Sequence, residues 1–239
     1  MVEITAESIL QCSVSSLTTP PATSDISFIE TKSSGIGATA NNDCRIPECA
    51  AGDLILAFIL HRDTLTPPAG FSLIATQSSA VTGLPTGVNI LSAYSKVAVG
   101  GEAGTFSTWH QATAQTFQIV MTTFHKPSGS PTVNSYATAH VDNTTASQTA
   151  TAVATGTADG QLGVVFATNA RTLAFGNVTM QLVMAGATQV TPVSTPSNIM
   201  CGGYIPLNVG NSTTGIITSD GNPTSGNNGW SAITVVLDA

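Results

Sequence analysis

The sequence predicts an all-β protein, an antiparallel β-sandwich of jelly-roll type with an extended N-terminal arm. Composition supplies two of the three observations behind this prediction. Ser and Thr account for 60 of the 239 residues, and these residue types suit strands and turns. Charged residues make up only 8% of the chain, against about 25% in a typical soluble domain. Amphipathic helices therefore lack the charged residues that their solvent-exposed faces need.

The third observation is a series of short strand-like segments that begins near residue 26 and is punctuated by Gly, Pro, Asn and Asp. Segment 54–60 is apolar on both faces, which predicts a central strand covered on each side. Phe117, Ile119 and Met121 recur at period two and so share one face of a strand. No helical pattern of roughly 10 to 15 residues separates the segments, which argues against a parallel sheet.

About twelve strands are expected: 26–30, 54–60, 71–76, 88–99, 105–109, 117–121, 133–141, 162–168, 178–184, 199–207, 215–218 and 233–237. An antiparallel sandwich or jelly roll is the architecture that such a series favours. The residues predicted to be buried in the sandwich are Leu54, Leu56, Phe58, Val164, Phe166, Ile233 and Val235.

Residues 1–26 differ from the rest of the chain and are predicted to form an N-terminal arm and linker, followed by one sandwich domain over 27–239. A Pro/Ser/Thr tract at 18–24 is typical of an extended linker. The arm would bind a neighbouring subunit, either by adding backbone to a sheet edge or by filling a groove. A frayed terminus is the alternative. The candidate partner-binding residues are Val2, Ile4, Ile9 and Leu10.

The charge balance and the hydropathy pattern exclude several classes of partner. The net charge of −7 and the isoelectric point near 4.7 argue against nucleic acid. The longest apolar run, 54–60, is far shorter than the roughly 18 residues that a membrane span requires. The N-terminus has neither the basic region nor the apolar region of a secretory signal, so we expect assembly in a cytoplasm.

Motifs that carry catalysis are not found, so the chain is predicted not to be an enzyme and to need no cofactor. The sequence has no G-x-S-x-G, H-E-x-x-H or phosphate-binding glycine loop. The four histidines are scattered, and no ligand spacing supports a metal site. Buried free thiols are favoured for the cysteines, and a Cys44–Cys49 disulfide is the alternative.

The few aromatic residues allow two interpretations. They could form a platform on which sugar rings stack, since apolar sugar faces pack on aromatic rings. Packing in the core is favoured, because aromatic residues make up only 5% of the chain and are needed inside. The residues concerned are Trp109, Trp230, Tyr94 and Tyr204.

A series of short motifs carries a resemblance to a known family. They are Cys44-Arg-Ile-Pro47, Gly52-Asp-Leu-Ile-Leu-Ala-Phe58, Pro68-Ala-Gly-Phe-Ser-Leu-Ile74, Ser92-Ala-Tyr-Ser-Lys96, Gly104-Thr-Phe-Ser-Thr-Trp109, Gly160-Gln-Leu-Gly-Val-Val-Phe166 and Ser231-Ala-Ile-Thr-Val-Val-Leu237. Over residues 27–239 the chain resembles a jelly-roll module that recurs in tailed-phage virion proteins and bacterial surface proteins. Phe71 stands where the family usually has Trp, and the cysteines are unusual for it.

The resemblance implies a structural role. The leading hypothesis is a virion protein of a tailed phage, assembled in the host cytoplasm. In this hypothesis it is a capsid decoration (cement) protein that binds the major capsid protein or other virion subunits. A homo-oligomer, for example a trimer, would fit this role. The alternative is a carbohydrate- or receptor-binding module of a tail fibre or cell-surface protein.

Overall fold

The structure, a computed structural model, describes residues 24–80, 87–144, 152–170, 179–183, 187–190, 200–210, 216–220 and 228–238. This part of the chain forms strands and no helix, and every strand pairing is antiparallel. The predicted all-β, antiparallel class is therefore confirmed. The strands are β1 (Ser27–Ser33), β2 (Gly37–Arg45), β3 (Leu54–His61), β4 (Leu65–Thr66), β5 (Ser72–Ala80), β6 (Val88–Val97), β7 (Phe106–His125), β8 (Thr132–Thr144), β9 (Gln161–Ala170), β10 (Thr179–Val183), β11 (Thr188–Gln189), β12 (Met200–Leu207), β13 (Ile216–Asp220) and β14 (Asn228–Asp238).

Two large sheets form the sandwich, and each is built from one part of the chain. The first sheet has the order β1-β7-β3-β6-β5, with β2 and β4 also paired to β7; the second has the order β11-β12-β9-β14-β8. In the described residues the chain passes between the two sheets once, from β7 to β8. This order is consistent with a β-sandwich, and the finer jelly-roll type stays a prediction.

The core lies between the facing surfaces of the two sheets. Phe58 of the first sheet stacks on Phe166 of the second, with ring centroids 4.1 Å apart. At the β5–β8 side the sheets are joined by Ser79 Oγ and Ser231 Oγ at 3.2 Å. The predicted core is confirmed, since all seven of its residues are buried: Leu54, Leu56, Phe58, Val164, Phe166, Ile233 and Val235.

A second apolar layer covers the outer face of the first sheet. Strand β7 is 20 residues long; its first half pairs with β2 and β4, and its second half pairs with β1 and β3. Trp109, from the first half, packs with Ile55 and Ile59 of β3 in one buried cluster. Strand β3 is consequently buried on both faces along its whole length, which confirms the prediction for 54–60.

A bulge divides the two halves of β7. Asn41 of β2 is opposite His110, but Thr39 is opposite Gln115, so residues 111–114 are inserted at this corner. The side-chain amide of Gln111 donates to the carbonyl oxygens of Thr39 at 2.8 Å and Gln115 at 2.7 Å. Its oxygen accepts the backbone amide of Arg62 at 3.3 Å. One buried glutamine thus ties the bulge to the end of β3.

The folded domain begins before residue 27. Ile26 is buried and belongs to the central core, and Ser24 Oγ donates to the carbonyl oxygen of Gly160 at 2.5 Å. Residues 24–26 are therefore part of the sandwich rather than of the arm. The arm residues Val2, Ile4, Ile9 and Leu10 lie outside the described residues. No helix long and apolar enough to span a membrane occurs in the described ranges.

Candidate functional site

A cleft of about 570 Å3 opens at the corner where β3 turns into β4, and we call it the corner cleft. Its lining includes the three consecutive residues His61, Arg62 and Asp63, together with Ser92 and Tyr94 of β6. The Gln111 bridge fixes the backbone of this corner. Two arrangements of polar side chains occur here, one satisfied and one not.

The satisfied arrangement is a hydrogen-bonded chain through His61. Its Nδ1 is 2.7 Å from the carbonyl oxygen of Asp63, and its Nε2 is 2.9 Å from Ser92 Oγ. Because a carbonyl only accepts, Nδ1 carries the proton, and Nε2 accepts the Ser92 hydroxyl. Ser92 Oγ in turn lies 3.0 Å from Thr76 Oγ1. Burial lowers the pKa of His61 to about 4, so the ring is neutral at neutral pH.

A Ser–His pair at this distance has the spacing of a nucleophile and its base. The surroundings favour a structural role instead. Ser92 lies within β6, where it is registered against Ile59 on one side and Thr76 on the other, so its backbone is engaged in the sheet. A general base works best with a pKa near the operating pH, and the pKa of about 4 for His61 is far below neutrality.

Arg62 in the cleft lining and Asn89 of β6, outside that lining, are not satisfied. Arg62 is 7% exposed, and its Nε and Nη2 atoms have no hydrogen-bond partner in the described structure. Asn89 is completely buried, and neither its Nδ2 nor its Oδ1 has a partner there. Burial lowers the pKa of Arg62 to about 10, which leaves the guanidinium charged at neutral pH. Buried polar groups are normally paired, so these two residues need an explanation.

Sequence reasoning missed Arg62, although a signal was present. The chain has only 6 Lys and Arg residues, and Arg62 follows almost directly on the apolar run 54–60. A charged residue that follows a fully buried strand is either turned to solvent by a bend in the chain or buried, and buried charged residues are rare unless they are paired. Only the structure separates these two outcomes.

A second cleft, of about 470 Å3, contains His125, Asp53 and Cys49. Asp53 is buried; its Oδ1 is 2.7 Å from His125 Nδ1, and its Oδ2 accepts the amide of Ala50 at 2.6 Å. The carboxylate therefore orients a half-exposed imidazole. The pKa of Cys49 is raised by burial and by the nearby Glu102, Asp53 and Glu48 carboxylates. This direction is opposite to that of an activated thiol.

An exposed surface lies on the outer side of β2 and the first half of β7, and we call it the ladder face. Three cross-strand pairs form it: Asn41 with His110, Asp43 with Thr108, and Arg45 with Phe106. His110 Nδ1 is 2.8 Å from Asn41 Oδ1, and Thr108 Oγ1 donates to Asp43 Oδ1 at 2.5 Å. The Arg45 guanidinium lies 5.1 Å from the centre of the Phe106 ring, which is 62% exposed.

Sequence reasoning also missed Phe106. Strict alternation in β7 places residues 106 and 109 on opposite faces, so the two aromatic rings could not pack on the same side of the sheet. The structure buries Trp109 and exposes Phe106.

The predicted sugar-stacking platform is not assembled, and this interpretation is corrected. Both tryptophans are buried, Trp109 beneath the ladder face and Trp230 behind the second sheet. Tyr94 packs against Trp109 with ring centroids 5.1 Å apart, whereas Tyr204 stacks on Phe28 at 5.4 Å beside the central core. The four residues occupy three separate clusters, and packing accounts for them.

The described cysteines are free thiols, so the Cys44–Cys49 disulfide alternative is corrected as well. Cys44 is buried, and burial raises the pKa of its thiol to about 12. The described histidines, cysteines and carboxylates include no group of three or more that could hold a metal ion.

Comparisons of the chain with protein-family models, with curated proteins and with solved structures find no match.

Proposed function

We propose that this chain is a structural virion protein of a tailed phage, a capsid decoration protein that binds and stabilises the capsid surface. The motifs behind the resemblance support this proposal because they occupy structural positions. Gly52 turns the chain into β3 with a φ of 93°, and the apolar residues of the Gly160–Phe166 and Ser231–Leu237 motifs lie in the core strands β9 and β14. Their role is to build a scaffold.

The ladder face is the observation that carries a binding role. Its side chains already contact one another in three cross-strand pairs. A partner that binds this face would therefore lose little free energy in ordering them. Arg and aromatic residues are enriched at the centres of protein–protein interfaces, and Arg45 with Phe106 supplies both. Arg45 already contacts the Phe106 ring, which favours a protein partner over a sugar ring stacked on it.

The finer parts of the hypothesis belong to the same proposal. We take the module to be related to the jelly-roll modules of virion proteins through its motifs, although each of its two large sheets is built from one part of the chain. The partner is the major capsid protein or another virion subunit, and the protein acts as a homo-oligomer, with a trimer as the arrangement to test. A carbohydrate- or receptor-binding module remains the competing function.

Binding to capsids tests the proposal. Purified protein is mixed with capsids from the producing phage that lack it, and co-sedimentation is measured for the wild type, Phe106→Ala and Tyr136→Ala. Tyr136 is the matched control, an aromatic residue that is 55% exposed on the other sheet. We expect saturation at tens to hundreds of copies per capsid, with at least about a tenfold loss of affinity for Phe106→Ala, as for a moderate hot-spot residue. No binding by the wild type, together with retention on a glycan array, would replace the capsid proposal by the carbohydrate-binding one.

A further inference from the structure

The unpaired atoms of Arg62 have a specific geometry. Nε and Nη2 are the two neighbouring donors on one edge of the guanidinium plane, and their N–H bonds point in the same direction. This edge is the fork that receives the two oxygens of a carboxylate or a phosphate. Both atoms of this fork are buried and have no hydrogen-bond partner in the described structure.

The neighbouring carboxylate does not neutralise Arg62. Asp63 is adjacent in sequence and lines the corner cleft, but its oxygens accept the Thr64 amide at 2.7 Å and the Thr113 hydroxyl at 2.7 Å. No ion pair involves Arg62 in the described ranges. An unpaired charge at such a depth is strongly unfavourable, and an anion from outside would remove this penalty.

We propose that Arg62 binds a small oxyanion, a carboxylate or a phosphate, at the corner where β3 turns into β4. The fork is buried; on binding it turns toward the corner cleft, and its two N–H groups donate to two oxygens of the anion side by side. The corner cleft of about 570 Å3, which Arg62 lines, has room for the group that carries the anion. The site uses none of the side chains that define the ladder face, and it does not depend on the proposed capsid binding.

Calorimetry and thermal unfolding of the full chain test this site. Inorganic phosphate and sodium acetate are titrated separately at constant ionic strength, with sodium chloride as the reference salt. We expect saturable heat and a saturable rise of the melting temperature. A response to phosphate alone identifies a phosphate group as the ligand, and a response to both identifies oxyanions in general. The absence of saturable binding of either anion would overturn the proposal.

Three variants separate a binding site from a structural arginine. Arg62→Lys keeps the charge but loses the fork, and we expect at least about a tenfold weaker affinity, the loss of roughly one charge-assisted hydrogen bond. Arg62→Met removes the charge; it should not respond to the anions, and in chloride it should melt at a higher temperature than the wild type. Arg45→Lys, on the ladder face, is the control and should bind as the wild type does. Equal anion responses in Arg62→Lys and the wild type would contradict the assigned fork, even if Arg62→Met fails to fold.

Discussion

His61 and Arg62 are adjacent in sequence, but the fold provides hydrogen-bond partners for the side-chain nitrogens of His61 and not for Nε and Nη2 of Arg62. Both ring nitrogens of His61 have partners, and its imidazole is 5% exposed as part of a buried network. Protonation would place a positive charge in this buried network. The protonated Nε2 could also no longer accept the hydrogen bond from the Ser92 hydroxyl. The native state therefore selects the neutral form of His61.

We predict that unfolding free energy falls as the pH is lowered from about 6.5 to 4. The pKa of His61 is lowered by burial from 6.5 in the unfolded chain to about 4 in the native state. Between these values the unfolded chain binds a proton that the native protein does not bind, so stability is complete above pH 6.5 and decreases below it. The difference corresponds to about 3 kcal/mol. Urea unfolding at a series of pH values measures the decrease.

The control for this prediction is His140, which is exposed for 48% of its side chain. His61→Gln should flatten the decrease above pH 4.5, whereas His140→Gln should leave it unchanged. Carboxylates with lowered pKa values, such as Glu30 and Glu102, lose their contribution only below their unfolded pKa of 4.5. An equal pH dependence in the wild type and His61→Gln would show that His61 does not cause it.

At the scale of elements, the contact between β9 and β12 depends on a glycine, because no larger residue fits at position 202 without moving its neighbours. Gly202 of β12 is paired with Phe166 of β9. A Cβ atom on Gly202 would lie 2.4 to 2.6 Å from three carbon atoms of the Phe166 ring, well inside van der Waals contact. The same ring stacks on Phe58 across the sandwich, so it has little room to move away.

Gly202→Ala is therefore predicted to destabilise the protein by about 1–3 kcal/mol, the usual cost of overpacking a core. Chemical denaturation measures the change. Gly35→Ala is the matched control, because nothing lies within 4 Å of its Cβ position, and it should change stability by less than about 0.5 kcal/mol. Combining Gly202→Ala with Phe166→Leu should cost less than the sum of the two single changes, since both act on one contact. Equal effects of the two glycine substitutions would refute this packing argument.

At the scale of the whole molecule, the domain begins a few residues earlier than the motifs indicate. Ile26 is 5% exposed within the central core, and Ser24 bonds to the start of β9 through Gly160. Two truncations distinguish the domain from the arm. A chain that begins at Ser24 keeps these contacts, whereas one that begins at Ser27 loses them.

We predict that the chain from Ser24 melts at the temperature of the full protein, while the chain from Ser27 is destabilised by about 1.5–3 kcal/mol, the value of one buried Ile side chain. Both should bind capsids or oligomerise more weakly if the arm docks on a neighbouring subunit through Val2, Ile4, Ile9 and Leu10. Thermal unfolding, light scattering and co-sedimentation provide the measurements. Undiminished binding and oligomerisation by the chain from Ser24 would show that the arm is a tail without a partner.

The sequence by itself determined the all-β class and much of the core. Alternation and apolar runs are local properties, and each strand carries them whichever neighbour it pairs with. Segment 54–60 therefore predicted a strand buried on both faces, and the same local patterns identified Phe58 and Val164 as core residues. The scarcity of aromatic residues likewise indicated that Trp109 and Trp230 pack inside.

Only the tertiary structure decided the order of the strands and the two surfaces on which the functional proposals rest. Sheet order depends on pairings between distant segments, and no local pattern states which strands meet. The pairing of Arg45 with Phe106 depends on the register between β2 and β7, and the backbone amide of Arg62 is held by the side chain of Gln111, beside the bulge at residues 111–114. Each arises from contacts made between distant segments, which the order of residues along one strand does not contain.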